Sequence, residues 1–135
     1  MTGEQIVAKV KALGFPEKSY VVFGSCPLAL AGIREANDVD MVVSPDLFKQ
    51  LKLAGWKELH KNPDDIPLIY DVFEAHENWG FSSYSPSLKQ LLATADIVDG
   101  VPFASLEEVR KWKAYGERPK DIADLALIDA YLSSR

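Results

Sequence analysis

The stretch from Tyr20 to Val43 constrains the fold more than any other part of the chain. It opens with a run of β-branched and aromatic residues, Tyr20–Phe23, which predicts a buried strand. Gly24–Ser25 follows as a tight turn, and a proline and a glycine bracket the apolar segment 27–32, which is typical of a short helix. A second apolar run with two acidic residues at its start closes the stretch. The predicted order is therefore strand, turn, helix and strand.

Asp38 and Asp40 are the two acidic residues at the start of the second strand. Side chains two residues apart share a face of a strand and lie about 6.6 Å apart, so we expect the two carboxylates to project together. Neighbouring carboxylates repel each other and lose solvation on burial, and a divalent cation offsets both costs. Because Mg²⁺ typically binds one or two carboxylates together with substrate phosphates, the pair predicts a metal site.

Gly24 and Ser25 lie just before the short helix, where backbone N–H groups and the helix dipole suit a phosphate. A phosphate-binding turn beside metal-binding carboxylates makes a nucleotide site the sharper interpretation. The plainer alternative is a β-α-β unit whose acidic pair is simply exposed in a loop.

The apolar run Ile66–Glu74 predicts one further strand and carries two more candidate carboxylates. Alternation places Asp71 between apolar residues, where a carboxylate is costly to bury unless it is paired or bound to a metal. Glu74, at the end of the run, is the rival candidate. The interpretation favours Asp71, either as a further metal ligand or as the general base toward an acceptor hydroxyl.

Gly-Ser, a short helix and Asp-x-Asp on a strand together resemble the nucleotidyltransferase fold of the DNA polymerase β superfamily. The likeness is greatest to its small stand-alone members, the minimal and AbiEii-like nucleotidyltransferases. It implies that Asp38, Asp40 and Asp71 are catalytic and bind the metal, Mg²⁺ or Mn²⁺. It also implies that Gly24 and Ser25 bind the nucleoside triphosphate.

The C-terminal part of the chain adds to this resemblance. The Asp99–Gly100 dipeptide predicts a hairpin, a helix carrying Lys113 follows, and Arg-Pro-Lys-Asp at 118–121 opens the last helix. In the relatives these segments lie on the active-site side, so the resemblance implies that Lys113 and Lys120 contact the triphosphate, with the aspartate of the Arg-Pro-Lys-Asp segment orienting a lysine. The ordinary alternatives are that Lys113 extends to solvent and that Lys120 pairs with Asp124 along the helix.

The sequence departs from the family pattern in two places. Cys26-Pro27 follows the turn, and the loop before the aspartates reads Arg34-Glu35-Ala36-Asn37, where relatives often carry Arg-x-Ser/Thr. Arg34 remains a candidate phosphate ligand. Cys26 is interpreted as a buried structural thiol, because no candidate base accompanies it.

Composition narrows the class of protein. With 135 residues and 47% hydrophobic residues, the chain is expected to form a single α/β (α+β) domain with a mixed, twisted sheet flanked by helices. Its core is expected at about 1–80, and the hairpin and two helices at about 85–135. The net charge of −5 argues against an extended nucleic-acid surface. No apolar run approaches the roughly 20 residues that span a membrane, so the cytoplasm is the predicted location.

The predicted function is Mg²⁺-dependent transfer of a nucleoside monophosphate from a nucleoside triphosphate to an acceptor hydroxyl on a small molecule, an RNA or a protein. The alternative is a catalytically silent protein with the same fold, acting as a toxin–antitoxin component or as a nucleotide-binding regulator. The predicted partners are the nucleoside triphosphate and its acceptor, with a second protein or a second copy of the chain as further candidates.

Overall fold

The computed structural model describes residues 1–60, 63, 66–78, 84–116 and 118–135. Its helices are α1 (Gly3–Leu13), α2 (Cys26–Leu30), α3 (Pro45–Leu53), α4 (Leu88–Ala93), α5 (Leu106–Gly116) and α6 (Pro119–Ser133). Its strands are β1 (Tyr20–Phe23), β2 (Val39–Val43), β3 (Lys57–Glu58), β4 (Leu68–Tyr70), β5 (Phe73–His76), β6 (Asp96–Val98) and β7 (Val101–Phe103).

The described strands form one mixed sheet in the order β3-β4-β5-β2-β1-β7-β6. The two parallel pairs are β2 with β5 and β1 with β7, and the remaining neighbours are antiparallel. Helices pack on both faces of the sheet through two buried apolar clusters. This architecture confirms the predicted α/β class with a mixed sheet flanked by helices.

Alternation along β2 separates its two faces. Val39, Met41 and Val43 point into one apolar cluster, which also contains Ile6 of α1 and Leu47 of α3. Val42 points into the other cluster, which also contains Leu91, Val109, Trp112 and Ile128 from α4, α5 and α6. Asp40 shares the face of Val42 and lies where that cluster ends, so the sheet itself directs this carboxylate toward the side of the C-terminal helices.

Several local signals in the sequence are confirmed by the structure. Thr2 caps α1, with Gln5 completing the capping box, and Gly14 ends the helix with a φ of +67°. Asp99–Gly100 forms the turn between β6 and β7, with both residues at positive φ as a tight hairpin requires.

The predicted single strand over Ile66–Glu74 is wrong. The chain forms β4, turns at Asp71 and Val72, and returns antiparallel as β5. Asp71 has a φ of +53°, a left-handed conformation that aspartate tolerates better than most residues. Glu74 is therefore inside a strand, and Asp71 lies at the tip of a hairpin.

No helix among the described residues combines the length and the apolar character needed to cross a membrane.

The contact between α1 and α2 gives a test of this packing. A Cβ added at Gly3 would lie 2.8 Å from the Cα of Leu30 and 3.1 Å from the carbonyl oxygen of Ala29, so backbone would have to move. Gly3→Ala is expected to lower the free energy of unfolding by about 1–3 kcal/mol, although alanine favours helices. Lys9→Ala, at an exposed position of the same helix, is the control. Urea unfolding measures both, and equal stability of the two variants would contradict the close α1–α2 packing.

Candidate metal and nucleotide site

Strand register brings two carboxylates together at the middle of the sheet. The parallel pairing of β2 with β5 places Asp40 opposite Glu74, and the antiparallel pairing of β1 with β2 places Asp40 opposite Phe23. Residues paired in this way face the same side of a sheet. Both carboxylate side chains are largely covered, with exposed fractions of 22% for Asp40 and 13% for Glu74.

Gly24 lets the turn after β1 approach Asp40. The residue has a φ of +67°, and a Cβ added there would collide with the Asp40 carboxylate and come within 3.0 Å of the Cβ of Asp40. Glycine is required here for both reasons, the backbone conformation and the close approach. The turn predicted to bind phosphate therefore lies against the carboxylate predicted to bind metal.

His76 lies two residues beyond Glu74 on the same face of β5, opposite Val42. Its Nε2 atom is 3.4 Å from Oε1 of Glu74 and 3.8 Å from Oδ1 of Asp40. Burial by itself would lower the pKa of His76, but attraction to the carboxylates of Asp40 and Glu74 outweighs it and raises the pKa above its usual value.

Asp40, Glu74 and His76 together offer ligand atoms that all lie within 4.8 Å of one another. Two carboxylate oxygens and an imidazole nitrogen are a donor set that divalent cations accept, so these residues fit a metal ion. His76 is not among the metal ligands predicted from the sequence. The signal in the sequence that points to it is its i, i+2 spacing from Glu74, which puts both side chains on one face of a strand.

Asp38 and Asp71 lie apart from this trio. Asp38 is exposed and precedes β2, which begins at Val39, and its backbone carbonyl accepts a hydrogen bond from the Cys26 thiol at 3.3 Å. Asp71 is exposed in the β4–β5 turn. The carboxylate that the strand register places beside Asp40 is that of Glu74, and the choice between Asp71 and Glu74 as the third acidic position stays a prediction.

A buried carboxylate, Asp124 of α6, holds the cations near the turn. Its two oxygens accept hydrogen bonds from Nε and Nη2 of Arg34 at 2.9 and 2.7 Å, and Nζ of Lys113 lies 2.8 Å away. Nη2 of Arg34 also donates to Oγ of Ser25 at 2.8 Å. A chain of polar contacts thus runs from α5 and α6 to the Gly24–Ser25 turn.

This arrangement changes the roles expected for the lysines. Lys113 is fully buried and does not extend to solvent, and its contact with the triphosphate stays a prediction. Asp124 pairs with Arg34 and Lys113 rather than with Lys120, which is exposed at the start of α6. The expectation that Asp121 orients a lysine is met in part: its carboxylate lies 3.6 Å from Nζ of Lys113, and it also accepts hydrogen bonds from Arg118 at 2.8 and 3.0 Å.

The charges around Asp124 predict acid sensitivity. Burial alone would raise its pKa, but hydrogen bonds from Arg34 and Lys113 lower the pKa to about 2, against about 3.9 in an unfolded chain. Its contribution to stability is therefore complete above about pH 5 and is lost as the pH falls through about 2. Asp124→Asn is expected to lower the free energy of unfolding by about 3 kcal/mol at pH 7, because two cations lose their buried partner. Asp129→Asn in α6, which removes an exposed ion pair with Arg110 of α5, is the control and should leave stability unchanged.

Urea unfolding from pH 2 to pH 7 measures this prediction. The difference between wild type and Asp124→Asn should shrink as the pH falls below about 4. A difference that stays constant across this range would show that the ionised carboxylate does not stabilise the fold.

Cys26 tests the packing at the start of α2. The thiol is buried, and burial, followed by the charge of Asp40, raises its pKa to about 12. At pH 8 the folded protein should therefore react with a disulfide reagent such as dithionitrobenzoate at least about 100-fold more slowly than the urea-unfolded chain. Comparable rates would contradict the interpretation of Cys26 as a structural thiol.

No protein-family model and no curated protein matches this sequence. Its structure is similar to a crystal structure of ANT(2")-Ia in complex with adenylyl-2"-tobramycin, with a TM-score of 0.54 and 14% identity, covering 96% of this chain and 86% of that chain. It is also similar to a solution structure of the antibiotic-resistance factor ANT(2'')-Ia, with a TM-score of 0.53 and 12% identity, covering 96% of this chain and 81% of that chain. The chain therefore has the nucleotidyltransferase fold that its Gly-Ser and Asp-x-Asp motifs predict.

Proposed function

We propose that this protein transfers a nucleoside monophosphate from a nucleoside triphosphate to an acceptor hydroxyl, with a divalent cation. The observation that carries the proposal is the close approach of the turn at Gly24 to Asp40, whose strand partner is Glu74. The shared fold supports it, since the structure of ANT(2")-Ia is a complex with adenylyl-2"-tobramycin.

Asp40 and Glu74 are the proposed ligands of the ion, Mg²⁺ or Mn²⁺. Glu74 takes the role first given to Asp71, and Asp38, exposed just before β2, remains a predicted further ligand. When bound, such an ion neutralises phosphate charge and polarises the phosphoryl group under attack. The protein's own part is to hold the carboxylates in place, and strand pairing does this without depending on a loop.

Ser25 is poised to bind a phosphate oxygen. Its Oγ accepts a hydrogen bond from Arg34, so the hydroxyl proton is available for donation to another acceptor. Backbone N–H groups near the start of α2 are further donors proposed for the same phosphate. Arg34 acts here mainly by fixing Ser25, because its guanidinium is already bound to Asp124.

A cavity of about 230 Å³ adjoins the trio and is the proposed place for the acceptor. His76 lines it together with Phe48, Glu77 and Asn78, so it joins an apolar wall to polar groups. His76 lines the cavity and also lies 3.4 Å from Glu74 and 3.8 Å from Asp40. The cavity suits a small molecule or one residue of a larger acceptor.

One observation favours the silent alternative. Asp124 pairs with both Arg34 and Lys113, two cations that the family resemblance directs to the triphosphate. A protein that uses these cations to hold its own C-terminal helix could keep the fold without the reaction. This alternative predicts that the protein binds a partner protein or a second copy of the chain, and that no transfer product is formed.

Nucleotide binding and turnover distinguish the two functions. Calorimetric titration with ATP, GTP, CTP and UTP, each with Mg²⁺ or Mn²⁺, should show cation-dependent binding of at least one of them. Asp40→Asn and Glu74→Gln should weaken that binding about tenfold or more, because each removes a charged ligand of the ion. Asp71→Asn, at the exposed hairpin tip, is the matched control and should bind as wild type does.

Release of pyrophosphate, followed during a screen of hydroxyl-bearing acceptors, reports the transfer itself. Cation-dependent binding without pyrophosphate release, even in the presence of acceptors, would favour the regulator. If wild type binds none of the four nucleotides, the proposal that the protein is an enzyme is overturned. If Asp71→Asn binds the nucleotide more weakly than Glu74→Gln does, Asp71 is the better candidate for the third acidic position.

A further inference from the structure

We propose that His76 is a third protein ligand of the ion and makes the site select a divalent transition metal, such as Mn²⁺ or Co²⁺, over Mg²⁺. The proposal rests on the proposed function for the presence of an ion at Asp40 and Glu74. It adds the identity of that ion and assigns a role to a side chain outside the Gly-Ser and Asp-x-Asp motifs.

The distances between the donor atoms suit one ion. A metal with ligands at about 2.0–2.1 Å holds neighbouring ligand atoms roughly 3.0–3.4 Å apart. Nε2 of His76 is 3.4 Å from Oε1 of Glu74, within that range, and 3.8 Å from Oδ1 of Asp40, slightly beyond it. Binding of one ion by all three atoms requires the Asp40 carboxylate to move closer, and the three donor atoms lie within 4.8 Å of one another.

The position of His76 is fixed by the sheet. The residue lies within β5, pairs with Val42 and is only 7% exposed, so its ring has little freedom to turn away. Asp40 and Glu74 are paired with each other on the same two strands, two positions from the pair of Val42 and His76. The three ligands therefore stand on one rigid surface, an arrangement that favours tight and selective binding.

Ligand chemistry then decides which ion binds. Mg²⁺ prefers oxygen ligands and retains several waters, and a buried imidazole supplies nitrogen while excluding water. Affinity for sites that contain nitrogen rises from Mn²⁺ through Co²⁺ and beyond, while carboxylates alone discriminate less. A site with two carboxylates and one imidazole should therefore bind Mg²⁺ with some affinity. Compared with a site made of the two carboxylates alone, it should gain more affinity for the transition metals than for Mg²⁺.

The test compares the two histidines of the chain. Metal binding without nucleotide is measured by calorimetry with Mg²⁺, Mn²⁺ and Co²⁺ on wild type, His76→Gln and His60→Gln. His60 is 67% exposed and lies 3.8 Å from Glu58, so His60→Gln controls for the loss of a histidine away from the trio. Wild type and His60→Gln should bind Mn²⁺ about tenfold or more tightly than Mg²⁺, and His76→Gln should lose that preference while keeping its Mg²⁺ affinity within about threefold.

Electron spin echo of bound Mn²⁺ gives a readout independent of affinity. Modulation from a directly coordinated ¹⁴N nucleus should appear in wild type and in His60→Gln and disappear in His76→Gln. Thermal unfolding of each variant without metal checks that the fold is kept.

The outcomes separate this inference from the proposed function. Metal bound through Asp40 and Glu74 with no ¹⁴N modulation, or with equal preference in wild type and His76→Gln, overturns the role of His76 and leaves the proposed function standing. No binding of any ion, with or without nucleotide, overturns both, and His76 is then a counterion of the two carboxylates. If His76→Gln does not fold, the ¹⁴N signal of wild type decides alone.

Discussion

The register of three central strands is the constraint on which the candidate site depends. Phe23, Asp40 and Glu74 lie side by side on β1, β2 and β5, and the turn at Gly24 follows directly. A slip of β2 by one residue would turn Asp40 into the opposite apolar cluster and bring a valine or methionine to the turn. Burial of Val39 and Met41 on one face and of Val42 on the other excludes that slip, so hydrophobic packing sets the geometry of the charged groups.

A second constraint comes from charge buried at a distance from the trio. Asp124 and Lys113 are buried against each other, and Arg34 joins them from the loop between α2 and β2. A buried carboxylate or ammonium is strongly unfavourable without a partner, so α5, α6 and this loop must take the one arrangement that pairs them. Because Arg34 also donates to Ser25, that arrangement fixes the turn as well. The C-terminal helices are thereby part of the site although none of their side chains belongs to the trio.

The sequence predicts the local structure correctly where the residues that determine it are close together in the chain. The capping box of Thr2 and Gln5, the hairpin at Asp99–Gly100 and the Gly-Ser turn each depend on residues within a few positions of one another, and the structure contains all three. The tight turn at Asp71 was missed because it lies within an apolar run and contains neither glycine nor proline. The only local signal was the aspartate itself, which tolerates positive φ.

The missed turn also changes where the candidate carboxylates lie. With one long strand, Asp71 is central and Glu74 is terminal. With two strands, Glu74 and His76 share the face of Asp40. The burial of Lys113 could not be predicted in the same way, because its partner Asp124 lies on another helix and only tertiary packing brings them together. A single sequence does not predict the burial and the partners of side chains that are brought together by contacts between distant parts of the chain.

The electrostatics of the whole site bear on how a triphosphate could bind. The trio contributes two carboxylates, Asp38 adds a third nearby in the chain, and the protein carries a net charge of −5. Arg34 and Lys113 share Asp124 as a partner, so part of their positive charge is compensated before any nucleotide arrives. A triphosphate brought to the Gly24–Ser25 turn would thus meet negative charge unless cations accompany it. For the proposed reaction, the cation is then needed already for nucleotide binding, and not only for the chemical step.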